Sequence, residues 1–73
     1  MLEKGDVIEL CYGEPPYSVF EVIVDIHGGD VYVYCVNDSW WGVYNTADKT
    51  LYIEQTARIL SGVGYNIVEK GTH

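Results

Sequence analysis

Seventy-three residues allow one domain with a thin core, since a chain this short buries only about 60% of the surface its unfolded form exposes, and they leave little material for a deep catalytic cleft. Hydrophobic residues make up 48% of the chain and aromatics 14%, too many for a disordered polymer. Eleven acidic residues against four basic ones give a formal charge of −7, which argues against bare nucleic acid and anionic membrane surfaces and favours a basic protein as partner.

The opening residues, MLEKGDVIEL, mix acidic with apolar side chains, so no signal peptide is expected. No segment approaches the roughly 20 apolar residues of a transmembrane helix, and a cytoplasmic setting is expected. Within KGDVIELCYG, Ile8, Leu10 and Tyr12 share one face of a first strand, while Glu9 and Cys11 share the other. GEPPY ends that strand, because proline cannot donate to a ladder.

SVFEVIVDIHGGDVYVYCVN holds two strand-like runs around Gly28-Gly29, a pair free to take the positive φ of a tight turn. A two-residue loop sets His27 opposite Asp30, Ile26 opposite Val31, Val24 opposite Val33 and Val22 opposite Cys35. Those last six residues, with Phe20, would form one apolar face. The reverse face would pair Asp25 with Tyr32, Ile23 with Tyr34 and Glu21 with Val36.

After a turn at Asn37-Asp38-Ser39, WWGVY reads as a fourth strand in which Gly42 marks a bulge or a close backbone approach. Neighbouring strand residues point to opposite faces, so Trp40 and Trp41 cannot share a core. An even-length loop before the next strand turns Trp40 inward and Trp41 outward, the arrangement favoured here, and an odd-length loop reverses the two. TLYIE alternates, with Leu51 and Ile53 on one side and Tyr52 and Glu54 on the other. Yet Ile53, Ala57 and Leu60 also have helical spacing, EQTARIL contains good helix formers, and Gly62 stands where a helix would end.

One helical segment within 50–61 is therefore expected, then a last strand in GYNIVEK with Ile67 inward. These elements predict a mainly β fold, a small antiparallel SH3-like barrel or strongly curled sheet of about five strands, whose curling protects its edges. The alternative is an α+β fold, an antiparallel sheet with a single helix packed on one face. Residues 1–70 form the one domain, and 71–73 read as a tag remnant or disordered tail.

Little in the chain supports catalysis. Cys11 and Cys35 should point to opposite faces, the wrong arrangement for a disulfide, and there is no Cys-x-x-Cys. Asp25, His27, Asp30 and Tyr32 meet at the hairpin end with donors a divalent cation accepts, but they are equally ordinary at an exposed turn, and no metal site is assigned. Ser18, Ser39 and Ser61 have no evident His partner, and HGGD and SGVG lack the Lys of a phosphate loop. Neither an enzyme nor a cofactor is expected.

The aromatic excess is more informative. Seven tyrosines, two tryptophans and one phenylalanine exceed what a thin core holds. Tyr32, Tyr34 and Trp41, set among Ile23, Val36, Glu21 and Asp25, form the expected partner-binding surface, because Trp and Tyr rimmed by charge mark protein–protein hot spots. Cross-strand aromatic pairs that merely stabilise a sheet leave the same signature. The expected function is that of a small acidic non-catalytic binder, self-associating or docked on a basic protein, in the manner of the inhibitors that phages and other mobile elements encode against host nucleic-acid enzymes. The alternative is an oligomeric module that holds a small planar ligand such as a nucleotide.

Overall fold

The computed structural model describes residues 1–71 and contains seven strands: β1 (Val7–Tyr12), β2 (Tyr17–His27), β3 (Asp30–Cys35), β4 (Trp40–Asn45), β5 (Thr50–Ile53), β6 (Arg58–Leu60) and β7 (Gly64–Glu69). They form one antiparallel sheet in the order β6-β5-β4-β3-β2-β1-β7. The sheet does not close, because β6 and β7 share no ladder and stand as its two edges. The expected SH3-like barrel or strongly curled five-stranded sheet is thus replaced by an open seven-stranded one.

No helix occurs among the described residues, which overturns both the segment expected within 50–61 and the helix-on-sheet alternative. Leu51 pairs with Tyr44 and with Leu60, so β5 sits between two neighbours and its alternation prevails over helical spacing. Ala57, a supposed helix-face residue, lies exposed in a loop with a left-handed backbone (φ 55°). Ladder pairing on both sides of β5 supplies what local helix propensity could not.

The loops between β3 and β6 repeat one device. Each has four residues, and the last of each is left-handed: Ser39, Lys49 and Ala57. The N–H groups of Ser39 and Lys49 donate to the carbonyls of Cys35 and Asn45, both at 2.8 Å. Four is an even number, so Trp40, Gly42 and Tyr44 share a face with Leu51 and Ile53, and Trp41 is turned to the other. Trp40 is 8% exposed and Trp41 50%.

The Gly28-Gly29 turn sets His27 opposite Asp30 and Ile26 opposite Val31, as expected, and Asp25 opposite Tyr32. The next step differs. A bulge leaves Val24 without a partner, so Ile23 pairs with Val33 and Val22 with Tyr34. One extra residue reverses every side chain beyond it. Val19, Glu21 and Ile23 consequently enter the core, whereas Phe20 is exposed on the other face and Val22 is only half-buried. The expected pairings of Val24 with Val33 and Val22 with Cys35 are therefore corrected, together with the faces assigned to Glu21 and Ile23.

Ile8, Leu10, Val19, Ile23, Val31, Val33, Cys35, Trp40, Tyr44, Leu51 and Val63 make up the core on one side of the sheet. The chain passes from edge to edge through Ser61–Val63, which lays the fully buried Val63 over that side. The Val63 N–H donates to the Lys49 carbonyl at 2.8 Å, and its carbonyl accepts the Tyr44 hydroxyl at 2.6 Å. These bonds satisfy polar groups that burial would otherwise penalise. Ile67 pairs with core residue Ile8, but its edge position leaves it 40% exposed.

The termini are joined by a buried carboxylate. Asp6 Oδ2 accepts from the Glu3 N–H and Lys70 Nζ, each at 2.8 Å, and Oδ1 accepts from the Gly71 N–H at 2.7 Å. The Gly71 and Lys70 hydrogen bonds lower the Asp6 carboxyl from 3.8 to about 2. Gly71, placed outside the domain by sequence, packs so closely on Gly5 that a Cβ there would lie 2.7 Å from the Gly5 carbonyl carbon. Residues 72 and 73 of the expected tail lie outside the described residues.

Candidate interaction face

The face opposite the core is built from two rows of side chains. Ladder pairing aligns Asp25, Tyr32, Val43, Tyr52 and Ile59 across β2 to β6. A second row runs from Val22 through Tyr34 to Trp41, and the Glu54 N–H donates to the Trp41 carbonyl at 3.0 Å, bringing Glu54 beside it. Between the rows lies a groove of about 550 Å³ lined by Val24, Asp25, His27, Tyr32, Trp41, Gly42, Val43, Tyr52 and Glu54.

Its rings are braced rather than loose. Trp41 packs on Tyr34 with centroids 4.5 Å apart and planes at 49°, and His27 meets Tyr32 edge-on at 5.5 Å. His27 Nε2 lies 3.0 Å from Asp25 Oδ2, while Asp25 Oδ1 accepts from the Ile26 N–H at 2.9 Å. The Ile26 N–H, and then His27, hold the Asp25 carboxyl below its ordinary range, so it is ionised at neutral pH. Asp30 is turned elsewhere and accepts from Asn45 Nδ2 at 2.9 Å.

The backbone under the groove is tightly constrained at Gly42. A Cβ there would stand 2.7 Å from the Tyr52 carbonyl oxygen and 3.0 Å from the Trp40 ring. The absence of a side chain allows β4 and β5 to approach over the Trp40 indole.

Of the residues expected to bind a partner, Tyr32, Trp41 and Asp25 line the groove, and Tyr34 supports it from behind Trp41. Val36 is exposed in the β3–β4 loop, away from the groove lining. Glu21 and Ile23 are on the opposite side, buried at 0% and 1% exposure. Tyr52 and Glu54 were missing from the expected set, although the alternation of TLYIE placed both on one side; the helical spacing of the same segment obscured that signal. Val24 enters the groove only because of the bulge.

The chain shows no match to any family model, curated protein or solved structure with which it was compared. Both thiols are free, Cys11 half-buried and Cys35 in the core. Among the described residues, no helix is long and apolar enough to cross a membrane.

A second polar cluster lies on the core side. Among the described residues, neither carboxylate oxygen of the fully buried Glu21 has a hydrogen-bond partner. Burial pushes its carboxyl from 4.5 up to about 8; the neighbouring Cys35 thiol opposes the shift and the Asp38 charge adds to it. Cys35 Sγ points to Asp38 Oδ2 at 4.0 Å. Burial also raises the Cys35 thiol and the Tyr12 hydroxyl, so the cluster resists negative charge as a whole.

Proposed function

We propose that this protein is a small acidic non-catalytic binder that docks a basic protein through its outer aromatic face. The observation that carries this reading is the groove itself. Tyr32, Trp41 and Tyr52 wall it, Asp25 and Glu54 supply carboxylates, and neither Lys nor Arg lines it, in a chain of net charge −7. Exposed, pre-braced aromatics beside charge have the composition of an interface hot spot. A competitor for the nucleic-acid-binding surface of a basic enzyme is one form such a binder takes, and a cytoplasmic setting suits its two free thiols.

Affinity capture from the native host tests this. Wild type should retain a basic protein that Trp41→Ala and Tyr32→Ala lose and that Val68→Ser, an exposed change on β7 at the far edge from the groove, keeps. Calorimetry with that purified protein should reproduce the same order. Capture that is indifferent to Trp41 and Tyr32 would sink the reading.

The groove volume also supports the alternative, since about 550 Å³ falls within the range of small-molecule sites. A nucleotide or other planar ligand would then shift groove resonances directly. Self-association has its own support in the unpaired β7 edge, which exposes Tyr65, Ile67 and Val68. Sedimentation of wild type and Ile67→Lys separates that from docking on the groove.

A further inference from the structure

The geometry points to the outer-face groove as a receptor for one arginine side chain of the partner, its guanidinium lodged among Trp41, Tyr32 and Tyr52 and paired with Glu54 and Asp25. This assignment rests on the outer face being the docking surface, and it names the group that surface receives. Indole and phenol faces attract cations, the indole most strongly. A guanidinium is planar, weakly hydrated and forked, so it stacks on a ring while donating to a carboxylate at its edge.

The two carboxylates are not equivalent. Asp25 is already engaged by the Ile26 N–H and His27 and contributes a fixed negative wall. Glu54 enters no ion pair among the described residues, and the backbone bond from its N–H to the Trp41 carbonyl places it next to the half-exposed indole. Tyr34 braces that indole at 4.5 Å, so little ordering remains to be done when a cation arrives.

No Lys or Arg of the chain fills the groove, and its one imidazole, His27, is engaged with Asp25 rather than Glu54. The chain's basic residues are Lys4, Lys49, Arg58 and Lys70, and all four lie outside the lining. Lys70 is held by Asp6 and Glu3. The guanidinium must therefore come from another molecule.

Titration of N-acetyl-arginine amide into 15N-labelled protein tests the assignment. The reporter is the Trp41 indole N–H resonance, identified by its loss in Trp41→Phe. A saturable shift with a midpoint on the order of 10 mM is expected, and about tenfold weaker binding of N-acetyl-citrulline amide, which keeps the shape without the charge. Glu54→Gln should weaken the arginine response of the Trp41 indole, and Trp41→Leu should abolish the saturable shifts that arginine causes at the Tyr32 and Tyr52 backbone amides, which line the groove and remain in that variant. Both side chains are exposed, and the backbone spectrum checks that each variant folds.

Citrulline binding as tightly as arginine, no saturable response up to about 100 mM, or indifference to Glu54→Gln would each overturn the assignment. If arginine fails while partner capture still depends on Trp41, the groove assignment falls and the docking reading stands. If capture is also indifferent to Trp41, both fall.

Discussion

Replacing Glu21 by Gln should flatten the pH dependence of stability across the neutral range. In the unfolded chain the carboxyl ionises at its ordinary 4.5, and in the folded protein only at about 8. Between those values the folded state holds one more proton than the unfolded state, so stability falls as the pH rises, by about 1.4 kcal/mol per pH unit. The loss is absent below 4.5 and complete above about 8, where it reaches roughly 5 kcal/mol. A domain of this length has only about 4–11 kcal/mol of stability to lose, so the wild type should lose more of its melting temperature between pH 4.5 and pH 8.5 than Glu21→Gln does.

Urea and thermal denaturation followed by circular dichroism from pH 4 to 9, on wild type and Glu21→Gln, isolates this carboxyl from the other titrating groups. The two proteins should be similar at the acid end and separate steadily toward pH 8. Glu21→Met should be the more stable variant at pH 8, because the carboxylate oxygens have no hydrogen-bond partner among the described residues and an apolar side chain of similar size leaves no polar group to satisfy there. Parallel curves for wild type and Glu21→Gln would refute the reasoning. So would a Glu21 carboxyl 13C resonance that titrates near 4.5, since it would mean that water or a cation reaches the side chain.

Because of the bulge, Ile23→Asp should unfold the protein, burying an uncompensated charge at a 1%-exposed site, while Val24→Asp at the groove is milder; thermal melts in the reverse order would restore an unbulged hairpin. Gly42→Ala should cost about 1–3 kcal/mol in urea denaturation, since its Cβ meets the Tyr52 backbone rather than a movable side-chain end. Asp6→Asn should be less stable than wild type at pH 7. Its carboxyl is held at about 2 against an ordinary 3.8, so its stabilisation is full above 3.8 and is lost as the pH falls toward 2, closing the gap between the two proteins in acid.

Much of the local pattern was legible in the sequence, because strand alternation has a period of two and needs no knowledge of neighbours. Ile8 and Leu10 inward, His27 opposite Asp30 across the glycine turn, and Tyr52 with Glu54 on one side follow from that period, whereas Trp40 inward and Trp41 outward also required the even length of the β4–β5 loop, which only the structure supplied. Tyr32, Trp41 and Asp25 were brought to the groove by the same rule.

What tertiary structure alone decided is how the strands bend and where they join. β2 is eleven residues long and pairs with β1 over one stretch and β3 over another, and Gly5 and Asp6, just before the start of β1, bond to the Ile23 backbone. The bulge at Val24 reconciles these ladders. Nothing local to Val24 announces it, and it moves Glu21 and Ile23 to the core. Likewise Ile53, Ala57 and Leu60 have helical spacing, but β4 offers Leu51 a ladder partner that a helix would forgo. Local spacing specifies alternation along a strand; partners distant in sequence decide where that alternation is interrupted.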